Sequence, residues 1–157
     1  MGNKEGLKKY DLKKGVNFIG ITCTFFCHDG KGNLLMHKRS KNCRDEVGRW
    51  DCGSGSMEFG EKSFREAALR EIYEEYRIKP RSLKLCGVTN VIRKNGKRKT
   101  HWVCFIFSAC VNPEKARVGE PHKMEELRLF PTKKLPKPLH SMLKKHLAVV
   151  RRAGVKI

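Results

Sequence analysis

No stretch of the 157-residue sequence approaches the roughly 18 consecutive apolar residues of a membrane-spanning helix. The start, Met1-Gly2-Asn3-Lys4-Glu5-Gly6, lacks the apolar block of a secretory signal and the Ser or Thr at position 6 of an N-myristoylation signal. The expected location is the cytoplasm, with no membrane partner. Internal repeats and linker-like stretches are also missing, so a single domain over residues 1–157 is expected. The seven cysteines lack the paired spacing of a zinc or disulfide framework. The only close set, Cys23-x3-Cys27-His28, has no second pair to answer it, and most cysteines sit in apolar runs, where a reduced thiol acts as a small buried hydrophobe. With 39% hydrophobic and 32% charged residues, a long disordered tail, a collagen-like repeat and a disulfide-dominated miniprotein are excluded and a globular domain remains.

Acidic residues are scarce: 16 Asp and Glu stand against 35 Lys and Arg, a formal charge of +19. That excess favours contact with phosphate-bearing partners, nonspecific contact with nucleic acid included. Residues 131–157 hold eight cations and no acid, and Arg93-Lys94-Asn95-Gly96-Lys97-Arg98-Lys99 packs five around a turn. One window runs the other way, with six of the sixteen carboxylates between Glu58 and Glu75.

Phe18 to Cys27 reads as a buried strand, followed through Asp29-Gly30 by a second, Leu34 to His37. Ser82–Ile92 and His101–Val111 read as a hairpin around Asn95-Gly96, and Leu127–Phe130 as a further strand. After prolines 131, 136 and 138, a basic amphipathic helix is expected over about 139–152. Alternating elements of this kind make a mixed α/β layer structure.

The acidic window contains a helix of its own. Ser63-Phe64-Arg65-Glu66 fits a capping box, which starts the helix at about Phe64. Glu71 and Glu74 are then three apart and Glu71 and Glu75 four apart, on neighbouring positions of one face. Like charges so placed cost a few tenths of a kcal/mol per pair, and a divalent cation reverses that sign. A solvated acidic face, with Glu66 paired to Arg70, is the alternative. Gly53-Ser54-Gly55 and Gly60 frame a loop entering the helix, where backbone amides can approach phosphate.

These residues carry a resemblance. Gly55-Ser-Met-Glu-Phe-Gly-Glu61 followed by Arg70-Glu71-Ile72-Tyr73-Glu74-Glu75-Tyr76-Arg77-Ile78 resembles the signature of the Nudix hydrolases. Eight residues separate Glu61 from Arg70 where the pattern has seven, and Arg77 stands in place of the closing glycine. The capping box assigns the extra residue, Lys62, to the loop, which leaves the helix register intact. Arg44 to Asp51, Thr100-His101-Trp102 and Gly119 to Lys123 resemble a bacterial subgroup of the same family.

The resemblance implies an α/β/α sandwich with a mixed β-sheet and a C-terminal helix. It also implies dependence on Mg²⁺ or Mn²⁺ and hydrolysis of a nucleoside diphosphate linked to another group, such as a (d)NTP or ADP-ribose. Glu71, Glu74 and Glu75 are then expected as metal ligands, with Glu71 or Glu74 also able to serve in proton transfer. Arg70 is expected to orient Glu71 or Glu61, Gly53 and Gly55 to line the phosphate site, and Glu120 to add a carboxylate. Trp50, Phe59 and Trp102 are candidates for stacking on a base or for the core, while His28, His37 and His101 read as structural. A second reading is a basic RNA- or ribosome-binding protein, with hydrolysis of RNA ends or dinucleoside polyphosphates secondary or lost. A dimer is compatible with either.

Overall fold

The computed structural model describes residues 12–157. At its centre is β1 (Gly20–His28), which runs parallel to β6 (Arg98–Cys110) along its whole length, from Gly20 against Trp102 to His28 against Cys110. The other edge of β1 is shared. Thr22–Phe25 pair antiparallel with β4 (Gly53–Ser56), and His28 pairs with Leu34 of β2 (Asn33–Arg39). The sheet order is β3-β2-β1-β6-β5, with β3 at Trp50–Asp51, β5 at Ser82–Asn95, and β7 (Met124–Pro131) added against β2.

The two-residue period of a strand sends alternate side chains to opposite faces. Cys23, Phe25 and Cys27, with Phe107 and Ala109, pack under α1 (Phe64–Tyr76). Phe26, Cys104 and Ile106 pack under α2 (Leu143–Arg152). One helix on each face of a mixed sheet is the expected α/β/α sandwich. The capping box forms: the Ser63 Oγ accepts from the Glu66 amide at 3.1 Å. The Glu66 carboxylate reaches back to the Lys62 amide, one residue earlier than expected, at 2.8 Å.

Three expectations need correction. Gly53–Ser56 is a strand rather than a loop, because its backbone completes the β1 ladder. The turn of the long hairpin is Gly96-Lys97, closed by Asn95 opposite Arg98, with Gly96 at φ +60°. The last helix starts at Leu143, not at residue 139, because the preceding segment runs beside β3: Trp50 N donates to Pro138 O and His140 N to Trp50 O.

Candidate active site

Helix α1 buries Ala67, Ala68, Ile72 and Tyr76 against the sheet, and the same geometry buries Glu71 and Glu75. Both carboxylates press on β4, and the glycines there make this possible. A Cβ on Gly55 would overlap the Glu71 carboxylate, and one on Gly53 would overlap the Phe25 ring and crowd Glu75 Oε2. The side-chain-free backbone of β4 admits the carboxylates.

Arg70 gathers the acids. Its Nε donates to Glu61 Oε1 at 2.7 Å, its Nη1 to Glu71 Oε1 at 2.7 Å and to Glu74 Oε2 at 3.0 Å, and its Nη2 to Ser56 O. Glu61 therefore meets Arg70 in spite of the inserted Lys62, whose extra length stays in the loop ahead of Ser63. Glu74 is half-exposed, while Glu75 Oε2 is buried with no hydrogen-bond partner. Burial pushes the Glu71 carboxyl up against the opposing pull of Arg70. Burial, reinforced by Glu71 and Glu120, pushes Glu75 well above the usual carboxylate range.

The C-terminal end of α1 draws in a second segment. Arg77 takes a left-handed conformation at φ +52°, the cost of lacking glycine there, and its guanidinium lies 5.6 Å from the Tyr73 ring centroid. The last carbonyls of the helix are satisfied by the loop before β7: Tyr76 O accepts from Arg117 N and Glu75 O from Gly119 N. That loop brings Glu120 towards Glu75, and its Lys123 Nζ pairs with Glu120 Oε1 at 2.8 Å while counterbalancing Glu71 and Glu75. Lys123 was legible only as the end of a short motif, because nothing in its spacing links it to α1.

On the α2 face, a cavity of about 230 Å³ backs onto Ser54, Gly55 and Ser56, so β4 separates it from the acidic cluster by one strand. Trp102 and Phe26 line it beside Asp51, Arg39 and His140. Asp51 Oδ2 lies 3.7 Å from Arg39 Nη1 and 3.8 Å from His140 Nε2, and burial pushes its carboxyl up to about 7. This charged wall was not expected from the sequence. Its members are distant along the chain, and only β3 and the segment beside it bring Asp51 and His140 together.

The remaining candidates fall in different places. Trp50 is core, edge-on to Phe130, and Phe59 is fully exposed. His28 bonds Ser108, His37 bonds the Tyr76 hydroxyl and His101 bonds Asn90. Cys23 and Cys27 face α1, whereas His28 turns to the other side of the sheet, so those three do not converge. Among the described residues, no three Asp, Glu, His or Cys side chains are gathered as a finished metal cage, and Arg70 spans Glu71 and Glu74.

The layered sandwich carries an acidic helix pressed against a glycine strand, and comparison with known proteins gives the family. The NUDIX domain model matches residues 20–152, and the chain belongs to that family. It is a pyrophosphohydrolase of a family that acts on nucleoside diphosphate derivatives and generally uses divalent metal ions.

Among solved structures, the MutT NUDIX hydrolase of Burkholderia pseudomallei is 28% identical with a TM-score of 0.73, over 83% of this chain and 97% of that one. The MutT protein of Methanosarcina mazei Go1 is 20% identical with a TM-score of 0.72, over 91% and 98%. The NUDIX domain of Shewanella oneidensis NrtR, solved with ADP ribose, is 16% identical with a TM-score of 0.68, over 97% and 98%. The last two likenesses concern the fold. No described helix is long and apolar enough to cross a membrane.

Proposed function

We propose that this chain hydrolyses a nucleoside diphosphate-linked substrate, a (d)NTP or an ADP-ribose-like compound, at the α1–β4 cluster with Mg²⁺ or Mn²⁺. The observation that carries the reading is Glu75 Oε2, a buried carboxylate oxygen without a partner beside the second buried acid, Glu71. An orphaned buried acceptor next to a like charge is costly in a structural role and fits a hard cation that prefers carboxylate oxygen. Glu71, Glu74 and Glu75 would hold the ion. When bound, it supplies positive charge to the pyrophosphate oxygens and raises the acidity of water.

The chain's own residues do the rest. Glu61 fixes Arg70, and Arg70 holds Glu71 and Glu74 in place. A water oxygen forms the new bond to phosphorus, the bridging oxygen leaves with its electron pair, and a carboxylate of the cluster, Glu71 or Glu74, takes the water's proton. Glu120, beside Glu75 and tied to Lys123, adds charge to the same cluster. The α2-face cavity, lined by Trp102 and Phe26, suits the base and sugar. The ADP-ribose bound to the NrtR domain is consistent with a substrate of this size.

The test is a panel of nucleoside triphosphates, deoxy forms, ADP-ribose and diadenosine polyphosphates with Mg²⁺ or Mn²⁺, with products weighed by mass spectrometry. Metal-dependent cleavage lost in Glu74→Gln and Glu75→Gln is expected. Cleavage retained in both variants overturns the assignment of the cluster.

A further inference from the structure

Three side chains in the wall of the α2-face cavity are each anchored on one side and leave one polar atom over. Arg39, at the end of β2, donates from Nε and Nη2 to Asp45 O and from Nη2 to Asp45 Oδ1, which leaves Nη1. Asp51, on β3, accepts from the Cys52 amide at Oδ1, which leaves Oδ2. His140, in the segment beside β3, accepts from the Met142 amide at Nδ1, so the neutral ring carries its proton on Nε2. Burial lowers this imidazole to about 4, which keeps it neutral at pH 7 and above.

The three leftover atoms do not satisfy one another. Asp51 Oδ2 stands 3.7 Å from Arg39 Nη1 and 3.8 Å from His140 Nε2, both too long for a hydrogen bond, and none of the three has another partner at hydrogen-bond distance among the described residues. Glu46 Oε1, also 3.8 Å from His140 Nε2, is already bonded by Arg93 and Ser141. The wall therefore offers the cavity an acceptor between two donors, from side chains that are largely buried. Beside it, the Trp102 ring lies where a Cβ on Gly15 or Gly20 would be, close on the backbone, and gives a flat surface for stacking.

The edge complementary to donor, acceptor, donor is acceptor, donor, acceptor: a ring N–H between two carbonyls. Uracil and thymine carry that edge, and hypoxanthine and guanine carry the N–H with one carbonyl. Cytosine and adenine instead turn a ring-nitrogen lone pair towards the Asp51 oxygen, so that a buried carboxylate faces an acceptor.

We propose that Arg39, Asp51 and His140 select the base of the substrate, taking the imide edge of uracil or thymine and rejecting cytosine and adenine. The proposal deepens the hydrolase reading, which puts base and sugar in this cavity. Asp51 is the centre of the selection, because its oxygen meets the one edge position that differs between the accepted and the rejected bases.

The test is Asp51→Asn. Its amide oxygen can keep the bond from Cys52 N while its amide nitrogen takes the place of Oδ2, which turns the central acceptor into a donor. Binding of UMP, CMP, IMP and AMP is measured by protein-observed NMR titration in EDTA at pH 8, above the value of about 7 to which burial pushes the Asp51 carboxyl. Specificity, as kcat/KM for the four corresponding triphosphates, is measured with Mg²⁺ at the same pH.

Wild type is expected to favour UMP over CMP and IMP over AMP by about 10- to 100-fold each, with the same order in kcat/KM. In Asp51→Asn both ratios are expected to fall to about one or below, because cytosine and adenine now meet a donor. Wild type that binds the four alike, or favours CMP and AMP, overturns the proposal without recourse to any variant. Unchanged ratios in folded Asp51→Asn overturn it as well. Wild-type protein that shows the binding ratios yet cleaves no pyrophosphate compound overturns the hydrolase reading and leaves the base selection standing.

Discussion

The two helices cover opposite faces of one sheet and treat buried polar groups in opposite ways. Helix α2 buries Leu143, Leu147 and Val150, and its one buried polar side chain, His146, meets the Thr89 hydroxyl at 3.3 Å. Helix α1 buries two glutamates, one oxygen of which has no partner. A satisfied buried histidine is packing, while an unsatisfied buried carboxylate is a cost that evolution removes unless a ligand meets it. The contrast sets a helix that holds the sheet beside the helix proposed to carry the chemistry.

The sharpest way to break this contrast is Glu75→Gln. Turnover is expected to fall roughly 10³-fold while metal-free stability rises by about 1 kcal/mol, since a neutral amide replaces a buried acid. Parallel rate measurements and chemical denaturation decide it, and a loss of both would make Glu75 structural. On the other face, Leu147→Ala is expected to cost about 3 kcal/mol in denaturation without changing kcat below the unfolding transition. A lowered kcat would tie α2 to the chemistry. Gly55→Ala drives a methyl group into the Glu71 carboxylate, with an expected loss of about 2 kcal/mol and a weaker response to Mg²⁺ in thermal melts.

The smallest of these effects is pH-dependent. Burial, with His140 and Lys145 nearby, lowers the His146 imidazole from 6.5 to about 4, so the unfolded chain takes up its proton first. Stability is therefore complete above pH 6.5 and is lost as pH falls towards 4. His146→Gln should lose about 2 kcal/mol less than wild type between pH 7 and pH 4.5. Equal losses in urea titrations would mean that the imidazole is solvated in the native state.

The elements with strong periodicity were legible from the sequence. Alternating apolar residues named β1 and β6, and the Ser63 box placed the start of α1 at Phe64. Gly53–Ser56 was not legible as a strand, because two glycines and two serines carry no hydrophobic pattern and only the β1 ladder fixes them. The start of α2 was misplaced because Leu139 fits helical spacing but is held beside Trp50 by hydrogen bonds that sequence does not announce. Of the site, Glu71, Glu74 and Glu75 were marked by spacing along one helix, and Arg70 by the family resemblance. Lys123 and Asp51 were marked only as ends of short motifs and His140 not at all, because all three reach their positions through tertiary connections.

The parallel pairing of β1 with β6 has a consequence for biosynthesis. His28 and Ser108 meet although they are 80 residues apart, so the central ladder closes only after most of the chain has left the ribosome. The acidic helix packs on β4 and β1, which precede it in the chain, and only the part of its cover that Phe107 and Ala109 supply arrives later. Contacts so distant along the chain slow folding and lengthen the interval in which a nascent chain is open to chaperones and aggregation. The full sheet therefore exists only once β6 has arrived to pair with β1.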